Sequence, residues 1–287
     1  MKTLTPRIFD DRTCQLGEGP NVSGANNQLL HWVDILGKRV LWRDSASGEF
    51  GEWSTDSHVG FVIPTTDNAF VLGTADGPVL KQEDGSIRAL PARTKISESP
   101  LRWNDGKRGP AGEYWLGTSA YGAEGVATSL YRLSADLSEI SLQLDGLGLA
   151  NGMDWSPDHK YFYFIDTVGS VLKRFKYADG EISDSEDVIA FDSDTQEFPD
   201  GMTVDSEGCI WIAFWNGSCV RRYSPDFQEI FRIDLPTRFV TSCVFGGEKL
   251  NQLFITTAVG DGPWRDDSPE AGMTFVVDTE FKGKASY

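Results

Sequence analysis

Four oxygen-bearing side chains, Glu18, Asn104, Asn151 and Asp200, stand at matching distances before a recurring apolar phrase. Glu18 lies sixteen residues before Asp34, Asn104 thirteen before Gly117, Asn151 fifteen before Asp166 and Asp200 thirteen before Ala213. Each of Asn104, Asn151 and Asp200 also reads as an ordinary turn residue, because Asn and Asp tolerate left-handed backbone. Four in the same register are harder to assign to turns, and Glu18 in Gly17-Glu18-Gly19-Pro20 has no turn role. Two carboxylates and two amide oxygens form an oxygen-only donor set, the kind that suits a hard divalent cation such as calcium, magnesium or manganese. Few protein ligands leave coordination positions open for water or substrate, as a catalytic metal requires.

The elements that position them follow from the phrase itself. It occurs six times, as Trp32-Val33-Asp34-Ile35, Val71-Leu72-Gly73-Thr74, Trp115-Leu116-Gly117-Thr118, Phe164-Ile165-Asp166-Thr167, Trp211-Ile212-Ala213-Phe214 and Phe254-Ile255-Thr256-Thr257. The spacings between third residues are 39, 44, 49, 47 and 43. Periods of about 40–50 residues built from short strands mark a propeller, one blade per repeat. Turn signals precede and follow each phrase, and further short stretches such as Met202-Thr203-Val204 and Val220-Arg221-Arg222-Tyr223 complete four strands per unit. The expected fold is therefore all-β: one six-bladed propeller domain over residues 1–287, with four antiparallel strands per blade and few helices. Arg7-Ile8-Phe9 is expected to complete the last blade beside Phe275-Val276-Val277. First strands line the channel of a propeller, so equivalent places in different blades converge on the axis. The same place in blades two and six holds His58 and Thr241-Ser242, where substrate selectivity would be sought. His31 and His159 sit at strand or turn positions and receive no role.

Composition narrows the function classes. A formal charge of −17 disfavours nucleic acid and anionic membrane as partners. No apolar run reaches the roughly 18 residues of a membrane span. The first residues carry no apolar stretch of a secretory signal. Cys14, Cys209, Cys219 and Cys243 show no CxxC spacing, so zinc-thiolate and redox motifs are absent. They read as reduced and buried, as in a cytoplasmic protein, although Cys209 and Cys219 could meet across a hairpin. Elbow, P-loop and dinucleotide fingerprints are also missing, which removes support for serine-nucleophile and nucleotide chemistry.

The motifs in order are specific. Leu16-Gly17-Glu18-Gly19-Pro20, Arg102-Trp103-Asn104-Asp105-Gly106-Lys107, Asn151-Gly152-Met153-Asp154-Trp155, Pro199-Asp200-Gly201-Met202 and Thr241-Ser242-Cys243-Val244-Phe245-Gly246-Gly247 resemble the regucalcin (senescence marker protein) and gluconolactonase family over essentially the whole chain. That resemblance implies a six-bladed propeller with one divalent metal ion in its channel, held at Glu18, Asn151 and Asp200. It implies substrate contacts from Arg102 and Asn104, and hydrolysis of a small-molecule sugar lactone. The cation could be calcium, zinc, manganese, magnesium or iron(II). Some members carry a glutamate four residues after the Gly-Thr of blade three, where this chain has Gly122, with Glu124 two further on.

On this reading the metal polarises the lactone carbonyl, Asp200 is the general base, and Arg102 and Asn104 orient the substrate. The alternatives are a calcium-binding regulatory protein without important turnover and a propeller phosphotriesterase with the same metal and base.

Overall fold

The computed structural model describes residues 4–24, 26–91, 100–121 and 125–285. Six antiparallel four-stranded sheets stand around one axis. The innermost strands are Gly17–Ser23, Val59–Pro64, Leu101–Arg108, Ala150–Trp155, Phe198–Val204 and Phe239–Gly246, in blades one to six. Each packs on the innermost strand of the next blade, and blade six returns to blade one. The repeated phrase runs along the second strand of every blade, from Leu29–Asp34 in the first to Gln252–Ala258 in the sixth. Blade six takes its outermost strand, Arg7–Asp10, from the beginning of the chain, with Arg7 opposite Val276 and Ile8 opposite Phe275. This is the closure expected from the sequence. The one helical element among the described residues is a short 3-10 turn at Ser193–Thr195. None of their helices is long and apolar enough to cross a membrane.

The phrase is apolar at consecutive positions because both faces of every blade are covered. Trp32 packs with Val244 and Phe254 of blade six, while the next residue, Val33, packs with Val62 and Leu72 of blade two. Trp115 and Leu116 divide in the same way, toward Trp155 and Phe162 of blade four and toward Phe61 and Val71 of blade two. One hydrophobic layer fills each gap between blades. Edge-on ring pairs such as Trp115–Trp155, with centroids 6.3 Å apart, add about 0.5–1.5 kcal/mol each beyond area burial. Cys209 and Cys219 do not meet. The hairpin register sets Cys219 opposite Phe214, whereas Cys209 precedes Ile210 at the other end, opposite Tyr223. All four cysteines are unpaired and buried.

Every innermost strand slips register against its neighbour at the same level: between Glu18 and Asn21, Val59 and Val62, Trp103 and Gly106, Ala150 and Met153, Pro199 and Met202, and Val240 and Ser242. The turn-like motifs of the sequence are therefore bulges within strands. A bulge re-aims side chains without ending the strand, here around the channel axis. Three residues further along these strands lies a buried ionic cluster. Asp154 of blade four, 1% exposed, accepts from Lys107 Nζ of blade three (3.1 Å) and from Lys284 Nζ of the chain's final segment (2.5 Å). It also accepts from Val204 N of blade five and from Trp155 N, both at 2.8 Å. Burial alone would raise its pKa, but the two ammonium groups and these donors hold it down at about 2.

Removing one partner of a buried pair leaves the other charge uncompensated. Asp154→Asn is expected to cost about 3–5 kcal/mol in urea unfolding. Lys284→Met should cost less, since Lys107 and the backbone donors remain on the carboxylate. The folded-state pKa lies below the ordinary carboxylate value of about 3.9. The stabilisation from Asp154 is thus complete above about pH 4 and is lost as pH falls toward 2. Denaturation midpoints measured between those limits should show the difference between wild type and Asp154→Asn narrowing with acid.

Candidate active site

At the bulged end of the channel the five sequence-predicted residues line one cavity. Glu18, Arg102, Asn104, Asn151 and Asp200 share a space of about 400 Å³. They arrive from four blades, each from its innermost strand. Glycines permit the crowding. A Cβ on Gly152 would lie 2.5 Å from Asp200 O, and one on Gly201 would lie 2.0 Å from Ser242 Oγ. The Gly of the Asn151-Gly152 and Asp200-Gly201 pairs therefore serves close approach of neighbouring blades.

The hydrogen bonds assign roles to the amides. Thr167 Oγ1 donates to the carbonyl of Pro199 (2.7 Å), because a carbonyl can only accept. The same hydroxyl accepts from Asn151 Nδ2 (3.1 Å). The second amide hydrogen of Asn151 goes to Asp200 Oδ1 (2.5 Å). Asn151 Oδ1 is left buried at the cavity wall with no hydrogen-bond partner. Asn104 is committed differently. Its Oδ1 accepts from Arg102 Nη1 (2.6 Å) and its Nδ2 donates to Ala150 O (3.0 Å). Arg102 Nη1 also reaches the carbonyl of Trp103 (3.1 Å), so the guanidinium is held at the cavity edge.

Electrostatically, the site is a carboxylate cluster without enough positive charge. Burial, then the charge of Asp105, push Glu18 up to about 8 against the Gly19 amide and Arg102. Asp200 is raised well above the carboxylate range by burial and by Glu18 and Asp105, opposed by the Asn151 amide and Arg102. Asp105 itself is raised to about 6, chiefly by burial. A lone buried acceptor beside two crowded carboxylates fits a divalent cation, which would satisfy the Asn151 oxygen and offset the repulsion. Among the described residues another acidic group, Asp205, Glu207 and Cys209, has ligand atoms close enough to share a metal. There Arg222 already sits on Asp205 Oδ2 (2.7 Å) and Glu207 Oε2 (2.5 Å), and Trp211 Nε1 donates to the same Asp205 oxygen. That group is an ion-paired brace.

Comparison with known proteins decides the family. The model of the SMP-30/gluconolactonase/LRE-like region matches residues 16–259. The chain belongs to this family. Regucalcin of Danio rerio is 35% identical over 271 residues, covering 92% of this chain and 90% of that protein. A pentonolactonase of Haloferax volcanii is 35% identical over 285 residues, covering 96% and 95%. Among solved structures, a calcium-binding protein, regucalcin, from Agrobacterium tumefaciens superposes with a TM-score of 0.90 at 27% identity, over 100% of this chain and 98% of that one.

Within the family frame, the residues not foreseen are as informative as those that were. Thr167, which orients Asn151, is the last residue of the fourth repeat phrase, and the phrase masked it as a strand residue. Leu16, Leu149, Val168, Phe198, Trp215 and Trp264 complete the cavity wall. Of the places reserved for selectivity, Thr241 is spent on structure: its hydroxyl donates to Gly17 O (2.6 Å) and links blade six to blade one. Ser242 packs on Gly201. His58 lies outside the lining, with Nδ1 2.7 Å from the Tyr121 hydroxyl. Gly122 and Glu124 lie outside the described residues.

Losing a partner that orients a metal ligand typically costs about 10–100-fold in metal affinity. Thr167→Val removes both the acceptor for Asn151 Nδ2 and the tie to Pro199, freeing the amide to turn. Calorimetric titration with calcium or manganese should show that loss in Thr167→Val and near-complete recovery in Thr167→Ser.

Proposed function

We propose that this chain opens lactones of aldonic acids to the free acids, using one divalent cation held by Glu18, Asn151 Oδ1 and Asp200. The observation that carries the reading is the unpartnered Asn151 oxygen set beside two buried carboxylates, in the cavity that also holds Arg102. The pentonolactonase among the relatives supports the substrate class. The all-oxygen donor set is compatible with calcium, magnesium or manganese, and zinc or iron(II) also enter such sites. When bound, the cation supplies Lewis acidity to the lactone carbonyl oxygen.

The chain's own residues do the rest. Asp200 Oδ1 accepts one hydrogen bond from the Asn151 amide and keeps a second lone pair for the cation, so Oδ2 is free to take the proton of the attacking water. As the acyl C–O bond of the ring breaks, the same carboxyl returns that proton to the departing ring oxygen. Arg102 binds a substrate hydroxyl or the carbonyl region, and Asn104 holds the guanidinium in place for it. Asn151 has no useful proton affinity and is a ligand only.

The reading as a calcium-binding protein without turnover draws on the Agrobacterium relative described as calcium-binding. Ion binding alone has no use for a guanidinium fixed by two acceptors at the cavity edge, and this favours the enzyme. Four buried, unpaired thiols suit a reducing compartment, consistent with a cytoplasmic enzyme.

A pH-indicator assay of aldonolactones with each divalent cation tests the proposal. Wild type should release acid, and Asp200→Asn should lower turnover at least about a hundredfold, the usual weight of a general base. Activity retained in Asp200→Asn would sink the base assignment. Acid release from no lactone with any cation would favour the ion-binding reading.

A further inference from the structure

One tryptophan of the cavity wall differs from all the others in the molecule. Of the nine, all within the described residues, Trp264 alone is exposed, at 37%, while the rest are buried or half-buried. It borders the same cavity as Glu18, Arg102, Asn151 and Asp200. It belongs to none of the six four-stranded sheets. A separate small hairpin, Gly260–Asp261 with Trp264–Arg265, carries it between the second and third strands of blade six.

The hairpin is fastened at both ends. Gly260 N donates to Gln15 O (3.0 Å), and Asp266 N donates to Val259 O (2.8 Å). Asp266 Oδ2 accepts from Thr237 Oγ1 (2.8 Å) and Arg238 N (2.6 Å). The Arg238 guanidinium lies 5.8 Å from the indole centroid. The Phe198 and Phe239 rings meet the indole at 73° and 61°, with centroids 6.1 and 6.4 Å away. Trp215, by contrast, is stacked on Phe239 at 4.2 Å. The Trp264 ring is therefore ordered by its neighbours and still partly uncovered at the cavity mouth. A pre-ordered aromatic surface left open beside a polar site marks a place for ligand contact.

A sugar lactone has two kinds of surface. Its carbonyl and hydroxyls lie around the rim of the ring, and carbon-bound hydrogens cover its faces. The rim groups can meet Arg102 and water at the open mouth. The faces need an apolar partner, and their partly positive C–H hydrogens suit the negative face of an indole. We propose that Trp264 is the stacking platform for the C–H face of the lactone ring, a specificity-determining contact that holds the ring form in preference to the acid. Hydrolysis turns that rigid face into a flexible chain, which must give up several free torsions to lie flat on the indole. The platform thus binds the substrate and releases the product, whose carboxylate is left to the polar groups of the cavity. This inference rests on the lactonase reading.

The test measures KM and kcat for D-glucono-δ-lactone and the inhibition constant of D-gluconate, with the activating cation, in wild type, Trp264→Leu and Trp264→Phe. Leucine keeps apolar bulk on a hairpin outside the blade sheets but has no ring, so stacking is removed without opening the fold. Trp264→Leu should raise KM about fivefold, the range that ring stacking supplies. Its kcat and its gluconate constant should stay within about twofold of wild type, because a contact made equally to bound ring and transition state moves KM alone. Trp264→Phe, which restores an aromatic face, should recover most of the lost KM. A KM unmoved in Trp264→Leu, a gluconate constant that rises in step with KM, or a Trp264→Phe no better than Trp264→Leu overturns the inference and leaves the lactonase reading standing. Release of acid from no lactone by wild type overturns both.

Discussion

Six strands share one axis in this molecule, and their crowding governs what the rest can be. Around the axis there is no room for a β-carbon at Gly152 or Gly201, where the neighbouring blade lies within 2.5 Å of where it would stand. The strands answer by bulging at one level, in all six blades. A bulge displaces the side chains beside it, so the residues preceding these glycines turn toward the channel. Asn151 and Asp200 come within hydrogen-bonding distance across the blade boundary as a direct result. Packing and chemistry therefore have one cause: the close approach that closes the ring also assembles the site.

Polar groups enclosed by such a ring must find partners inside it. At the far end Asp154 does so completely, drawing donors from blades three, four and five and from the final segment. Those three blades also carry Arg102, Asn151 and Asp200, so the Asp154 cluster holds the floor of the cavity from below. At the near end the balance is left incomplete. Glu18 is raised by burial and the charge of Asp105, Asp200 by burial and the charges of Glu18 and Asp105, and Asn151 Oδ1 has no partner. Buried polar atoms are nearly always paired. Asn151 Oδ1 is such an exception, and its place among carboxylates at a cavity wall is what supports the proposed cation site.

The sequence made the blades legible because a fully covered sheet forces apolar residues at consecutive positions, and this pattern repeats with the blade. It made Glu18, Asn104, Asn151 and Asp200 legible because polar residues next to or one position from a glycine are out of place on an inner strand. The same cues gave no way to separate a bulge from a turn, since both use Asn-Gly and Asp-Gly. Thr167 was hidden because a threonine at a strand end carries no signal of the amide it orients. No local pattern sets Trp215 and Trp264 apart from the core aromatics, and only placement shows them at the cavity. The Asp154–Lys284 pair joins residues 130 positions apart, with no local trace. Thr241 shows the converse: its place on the ruler was right, yet its hydroxyl serves the seam between the last and first blades.

Anomalous diffraction from crystals grown with manganese tests the central claim most directly. The account predicts one strong peak within ligand distance of Glu18, Asn151 Oδ1 and Asp200, and none at Asp205 and Glu207, where Arg222 already stands. A protein that turns over lactones with no peak among those three residues, or with its peak elsewhere, would contradict it.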